Sequence, residues 1–78
     1  MGLNVDALKQ QLSDDDCVKI LEICKEPKPF KDLRKASKAA KIKEGKLFKI
    51  LKDLKLSEAL LFADGKYYTS PEALEYLK

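Results

Sequence analysis

The sequence contains no histidine and no tryptophan, and its 78 residues include only two cysteines, three glycines and three prolines. Without histidine or a Cys-x-x-Cys pair there is no recognisable ligand set for zinc, so we expect no metal. Histidine is also the commonest general base, and the sequence has no glycine-rich phosphate-binding loop. We therefore expect no cofactor, no catalytic residues and no enzymatic activity.

The two cysteines, Cys17 and Cys24, lie seven positions apart on one predicted helix. That spacing is about 10 Å along the helix axis, whereas the Cα atoms of a disulfide lie within about 7 Å of each other. We interpret both as small apolar core residues. The N-terminal residues show no basic region followed by an apolar stretch, so no signal peptide is expected and a cytoplasmic protein is predicted.

Long apolar runs are also missing. None approaches the roughly 18 residues that a membrane span needs, so we expect no membrane partner. Apolar residues nevertheless make up 45% of the chain and charged residues 37%, which is typical of a globular domain rather than a disordered segment. We predict a single domain over residues 1–78 with a modest core.

Positive charge is concentrated in the middle of the chain. Residues 25–55 carry a net charge of +8, whereas residues 1–24 carry −3 and residues 56–78 carry −2. A basic segment between acidic flanks predicts one basic surface, as in proteins that bind polyanions.

Hydrophobic periodicity and capping residues divide the chain into helices and one hairpin. The predicted elements are an N-terminal helical extension at 1–12, helices at 13–26, 30–38 and 43–55, a hairpin at 58–69 and a helix at 71–78. Ser13 is the expected cap of the second helix, and Lys28-Pro29-Phe30 is interpreted as a rigid connector. Because no glycine or proline marks a break near residue 40, a single helix over 30–55 is the alternative.

Asp64-Gly65 marks the turn of the hairpin, since glycine accepts a positive φ. A two-residue turn pairs Phe62 with Tyr67 and Leu61 with Tyr68. An isolated hairpin is marginal in water, so this one must pack against the helices. Either the face of Phe62 and Tyr67 or the opposite face could make that contact.

Three helices followed by a hairpin resemble the winged helix-turn-helix family over residues 13–77. The resemblance is carried by Phe30-Lys31-Asp32-Leu33-Arg34-Lys35-Ala36 in the positioning helix, by Leu47 to Leu54 in the recognition helix, and by Ala63-Asp64-Gly65-Lys66-Tyr67-Tyr68-Thr69-Ser70-Pro71-Glu72 in the wing and last helix. The last string is similar to the wing ends of small ArsR, MarR and PadR repressors. Ala39-Ala40-Lys41 stands in the turn where the family often has a glycine. The resemblance implies an α+β, mostly α, winged helix-turn-helix fold.

The resemblance also implies that the helix at 43–55 enters the major groove of double-stranded DNA, with the hairpin touching the backbone nearby. Basic side chains on these elements would bind phosphates and displace condensed counterions. The candidate DNA-binding residues are Arg34, Lys35, Lys38, Lys41, Lys43, Lys46, Lys49 and Lys66. Residues 42–55 contain no arginine, asparagine or glutamine, so direct base reading should be weak. We therefore predict a small transcriptional regulator that anchors on phosphates with weak sequence specificity.

Other partners fit the same sequence. The scarcity of base-reading side chains favours, as an alternative, a winged-helix docking module of a larger transcription or replication complex. Phe48 lies off the apolar stripe of its helix and is a candidate for contact with the hairpin, a thymine methyl group or a partner. A homodimer through the first or the last helix is a further alternative.

Overall fold

The computed structural model describes residues 3–77, which form five helices and a three-stranded antiparallel sheet. The helices are α1 (Val5–Gln11), α2 (Asp15–Ile23), α3 (Phe30–Ala39), α4 (Glu44–Leu56) and α5 (Pro71–Tyr76), and the strands are β1 (Lys28–Pro29), β2 (Leu60–Ala63) and β3 (Lys66–Thr69). The fold is small, α+β and mostly helical, in agreement with the predicted class. Among these residues no helix combines the length and the hydropathy that crossing a membrane requires.

The segment at 30–55 breaks into two helices, so the alternative of one long helix is wrong. Lys41 takes a φ of 65°, in the left-handed region. Its N–H donates to the Lys38 carbonyl at 3.0 Å, and the Ile42 N–H donates to the Ser37 carbonyl at 2.9 Å. These two bonds form the Schellman motif that closes many helices, and burial of Ile42 completes it. Lys41 therefore takes the conformation for which a glycine is usual.

α4 ends in the same way. Glu58 has a φ of 64° and its N–H donates to the Lys55 carbonyl at 3.1 Å, while the Ala59 N–H donates to the Leu54 carbonyl at 3.0 Å. The hairpin predicted at 58–69 consequently starts later, at Leu60, because residue 58 belongs to the turn that closes the helix.

The start of α2 corrects the predicted cap. Asp14 is the N-cap, and its Oδ1 accepts from the Asp16 N–H at 2.9 Å. The Ser13 hydroxyl instead donates to the Gln10 carbonyl at 2.6 Å, at the end of α1. The helix predicted from residue 13 thus begins at Asp15. The reason is that the Asp14 carboxylate, and not the Ser13 hydroxyl, accepts from the free N–H group of Asp16.

The connector predicted at Lys28-Pro29-Phe30 is wrong, because its first two residues form β1. Lys28 pairs with Tyr67 and Pro29 with Lys66, so β3 lies between β1 and β2 in the sheet. α2 ends at Ile23 instead of residue 26, because the chain then turns to reach this strand.

The first and last helices are shorter than predicted. α1 spans Val5–Gln11 rather than residues 1–12, with Asn4 as its cap, and the part of that prediction on residues 1–2 lies outside the described residues. α5 ends at Tyr76, and the prediction for residue 78 also lies outside them.

The hairpin has the predicted register. Leu61 pairs with Tyr68 and Phe62 with Tyr67, around a turn in which Asp64 and Gly65 have φ values of 55° and 75°. The face that carries Tyr67 packs against the core, which decides between the two alternatives.

Apolar side chains from all five helices and from β2 form one core. Its fully buried larger members are Leu8, Ile20, Leu21, Cys24, Leu33, Leu47, Leu54 and Leu60. Cys17 is also buried and the two thiols are free, which confirms their assignment to the core. In α4 the predicted stripe of Leu47, Ile50, Leu51 and Leu54 faces this core, so the opposite side of the helix faces solvent.

Hydrogen bonds connect α1 and the residue before it to the C-terminal end of α4. The Gln11 side-chain amide donates to the Asp53 carbonyl at 3.0 Å and accepts from the Ser57 hydroxyl at 2.9 Å. The Asn4 N–H donates to the Ser57 carbonyl at 2.8 Å. α1 is therefore an integral part of the domain and holds one end of α4 in place.

Candidate nucleic-acid interface

An open groove between α3 and the start of α4 brings together six basic side chains. They are Lys31, Arg34, Lys35, Lys38, Lys41 and Lys43. Among the described residues that line this α3–α4 groove, Glu44 is the one acidic side chain. The groove thus has a strong excess of positive charge and suits a polyanion.

Helical spacing explains why these side chains meet. Leu33 and Ser37 of α3 are buried, so the side chains at positions 31, 35 and 38 lie on the other face, three or four residues apart. Burial of Ile42 then directs the flanking Lys41 and Lys43 outwards, where both are exposed. Local packing of three apolar or small residues therefore builds the basic surface.

An ion pair crosses the groove. The Arg34 guanidinium lies 3.3 Å from the Glu44 carboxylate, and both side chains are more than half exposed. Exposed pairs of this kind contribute little to stability and are screened by salt. A phosphate can therefore replace the carboxylate as the partner of Arg34.

The N-terminus of α4 opens on the same groove. Its N-cap, Lys43, makes no side-chain capping bond in the part of the chain that the structure describes. The first N–H groups of a helix carry a partial positive charge and bind anions readily. Here they add to the lysine charges already present.

Lys46 does not join this surface. Its Nζ lies 2.6 Å from Asp16 Oδ2 and 3.7 Å from Asp14 Oδ2, in the first turn of α2. The hydrogen bond from Lys46 holds the pKa of Asp16 below its ordinary value of 3.8, and the same bond raises the pKa of Lys46 above 10.5. The charge of Lys46 is thus largely compensated by α2.

The structure therefore brings together five of the eight candidate residues, those on α3 and in the turn before α4. Lys46 and Lys49 line a different groove, between α1 and α4, and Lys66 lies on the hairpin beside the turn. The one basic surface predicted from residues 25–55 is divided by α4 itself. The lysines of α4 recur every third residue, and each such step turns the direction of the side chain by about 60° around the helix. The series therefore passes gradually from the α1 side, with Lys46 and Lys49, to the hairpin side, with Lys52 and Lys55.

A second groove lies between α4 and the hairpin. It is lined by Phe48, Leu51, Lys52, Lys55, Leu56 and Tyr67. We call it the α4–hairpin groove.

Sequence reasoning missed Lys31, Lys52 and Lys55 as possible contacts. Lys31 lies four residues before Lys35 on the same helix face, a spacing that could have indicated it.

Four aromatic rings form a continuous row beside this groove, the aromatic row. Phe48 stacks on Phe30 with ring centroids 5.6 Å apart, Phe30 lies 6.3 Å from Tyr67, and Tyr67 lies 4.7 Å from Phe62. The rings at the two ends, Phe48 and Phe62, are each 51% exposed. The Lys55 ammonium lies 5.7 Å from the Phe62 ring centre. In this row Phe30 therefore links Phe48 to the hairpin.

No protein-family model, curated protein or solved structure matches the chain. Within residues 3–77 no three histidine, cysteine, aspartate or glutamate side chains gather as ligands for a metal ion. The groups that this surface offers to a ligand are its cations, its exposed rings and the N–H groups at the start of α4.

Proposed function

We propose that the chain is a winged helix-turn-helix domain that binds double-stranded DNA and acts as a small transcriptional regulator. Three helices, α2 to α4, followed by the hairpin of β2 and β3 support this assignment. In this proposal α3 is the positioning helix, α4 the recognition helix and the hairpin the wing.

The six cations of the α3–α4 groove carry the proposal. Lysine and arginine that neutralise phosphates release condensed counterions, and this release drives binding to any DNA sequence. The uncapped start of α4 supplies further N–H donors at the same place. Affinity should therefore come mainly from the DNA backbone.

Weak sequence specificity follows from the exposed side of α4. Gly45, Lys49, Lys52 and Leu56 lie on it, and all four are exposed. No asparagine or glutamine is present there to pair with adenine, and no arginine to pair with guanine. DNA duplexes of different sequence should bind with similar affinity.

Titration of two short blunt duplexes of unrelated sequence at several salt concentrations tests the proposal. Contact with about five phosphates predicts a slope of log affinity against log salt of roughly −4 to −5 for both. Absence of binding at low salt, or binding without salt dependence, contradicts the proposal.

A matched pair of variants locates the contact surface. Lys38→Gln removes a cation from the α3–α4 groove, whereas Lys46→Gln removes one that is already paired with α2. We expect Lys38→Gln to reduce the salt slope by about 1 and Lys46→Gln to leave it unchanged. Equal changes in both variants would show that DNA does not lie in this groove.

A docking module of a larger complex is the second candidate. Leu56 is 73% exposed at the end of α4 and lines the α4–hairpin groove with the half-exposed Phe48, and adjoining exposed apolar side chains suit a protein surface. A partner that stays bound after nuclease treatment and is lost with Leu56→Ala would favour this function.

A further inference from the structure

We propose that the aromatic row is a stacking platform for unpaired bases, so that the domain binds a single strand adjoining a duplex. The duplex part of this statement rests on the proposed function, whereas the platform is a separate surface. A stacked base needs a flat ring with a free face and a cation near the backbone that carries the base.

The rings provide the free faces. The end members of the row, Phe48 and Phe62, are each 51% exposed, although large aromatic side chains of a small domain are usually buried. Phe30 covers one side of the Phe48 ring in a nearly parallel stack, with 21° between the two planes. That support fixes the ring while leaving its other side for a ligand.

The surrounding charge selects an anionic strand. Lys52 and Lys55 line the α4–hairpin groove, and no acidic side chain of residues 3–77 lines it with them. The Lys55 ammonium lies 5.7 Å from the Phe62 ring centre and 6.0 Å from that of Tyr67. A strand whose bases meet these rings would therefore meet cations with its phosphates.

The two grooves adjoin at the stack of Phe30 on Phe48. Phe30 lines the α3–α4 groove and Phe48 lines the α4–hairpin groove, with ring centroids 5.6 Å apart. A duplex whose phosphates contact the cations of the first groove would thus lie beside the first exposed ring of the second. An acidic protein segment would also neutralise the lysines, but a row of four rings favours flat, aromatic ligands.

Fluorescence anisotropy with three labelled probes tests the inference. The probes are a short blunt duplex, the same duplex with a single-stranded thymidine overhang, and oligothymidine alone. We expect the overhang to increase affinity for the duplex at least about fivefold, the effect of one stacked base. Equal affinity for the blunt and overhanging duplexes would overturn the inference.

Three variants identify the platform. Phe48→Ala and Phe62→Ala should remove the preference for the overhang, measured as the ratio of the affinities for the overhanging and the blunt duplex. Leu56→Ala is the matched control, because it removes an exposed apolar side chain from the same groove without removing a ring. If Leu56→Ala reduces the preference as much as the phenylalanine variants, the face is a general apolar docking surface and the inference fails.

Phe48→Trp supplies a direct readout, since the chain has no other tryptophan. This variant should keep the preference for the overhang, and oligothymidine should quench its indole fluorescence. Unchanged fluorescence in a variant that binds the overhanging duplex would overturn stacking at this ring. Thermal melting by circular dichroism confirms that each variant is folded.

The blunt duplex separates the two proposals. If it binds with the expected salt slope but the overhang adds nothing, the platform fails and the duplex proposal stands. If oligothymidine binds through the two rings and the blunt duplex does not bind, the duplex proposal fails and the platform stands. Absence of binding to all three probes overturns both.

Discussion

Thr69 joins the hairpin to the end of α2 through two buried hydrogen bonds. Its hydroxyl donates to the Leu21 carbonyl at 2.6 Å and its N–H donates to the Cys24 carbonyl at 2.9 Å. Both acceptors lie in the last turn of the helix, where carbonyls lack helical partners. One threonine therefore satisfies the helix end and fixes the base of the hairpin.

We expect Thr69→Val to lower the free energy of unfolding by about 1–3 kcal/mol, because it leaves the buried Leu21 carbonyl without its donor. Valine keeps the shape of threonine, so the change reports the hydroxyl group rather than a cavity. Urea unfolding followed by circular dichroism measures it. A valine variant as stable as the parent protein would contradict the assigned role.

The ion pair of Lys46 and Asp16 predicts how the stability of the fold depends on pH. The pKa of Asp16 lies below 3.8 in the folded protein, chiefly through its hydrogen bond from Lys46. The pair therefore contributes to stability above pH 3.8, and that contribution is lost as the pH falls through the lowered pKa.

In Lys46→Gln the pKa of Asp16 should return towards 3.8, because the largest cause of its shift is removed. NMR titration of the side-chain carboxyl groups measures the midpoint directly. If the Asp16 midpoint does not rise in this variant, the ion pair seen at 2.6 Å does not persist in solution.

Two helices end on residues in the left-handed region that are not glycine. Lys41 has a φ of 65° and Glu58 a φ of 64°, each in the position of a Schellman motif that glycine usually occupies. A side chain in this conformation costs about 1–2 kcal/mol. Both turns consequently carry strain that a glycine would relieve.

We expect Lys41→Gly to raise the free energy of unfolding by about 0.5–1 kcal/mol, since relief of strain outweighs the greater freedom of glycine in the unfolded chain. The matched control is Lys35→Gly within α3, which should lower it by about 1 kcal/mol. Thermal or urea unfolding compares the two. Destabilisation by Lys41→Gly would show that the turn tolerates lysine without strain.

Helices and turns that are specified by neighbouring residues could be predicted from the sequence. Elements that form only through contact with distant parts of the chain could not. The stripe of α4 and the Asp64-Gly65 turn are visible within a few neighbouring residues. β1 is not, because Lys28 and Pro29 become a strand only by pairing with β3, far along the chain. The helix predicted at 30–38 ends one residue later, at Ala39, but the left-handed conformation of Lys41 that closes it was hidden, since a lysine gives no signal for such a turn.

In the candidate site, too, the features that depend on neighbouring residues were predictable and those that depend on tertiary packing were not. Helical spacing was sufficient to place the cations of α3 on one face. The pairing of Lys46 with Asp14 and Asp16 depends on how α2 packs beside α4, which the order of residues does not reveal. The exposed ends of the aromatic row likewise depend on where the hairpin packs.

Over the whole molecule, folding protects both thiols. Cys17 is 6% exposed and Cys24 is fully buried, and burial raises the pKa of each from 9.0 to about 11. The thiolate is the reactive form, so both access and ionisation oppose reaction. The cysteines should therefore report opening of the entire core.

At mildly alkaline pH we expect a thiol reagent to label both cysteines only as fast as the domain unfolds, and the labelling rate should rise with urea. The denatured chain, in which both thiols are accessible to the reagent, is the control. Labelling of either cysteine in the native protein at the rate of the denatured chain would contradict this burial.

The order β1-β3-β2 leaves β1 and β2 as the two edges of the sheet. β1 has only two residues, and neither Pro27 nor Pro29 has an N–H group to offer an incoming strand. Strand addition from another molecule is thus confined to the four residues of β2. Prolines in and beside a two-residue strand therefore oppose growth of the sheet at this edge, so a chain of copies joined edge to edge cannot extend through β1.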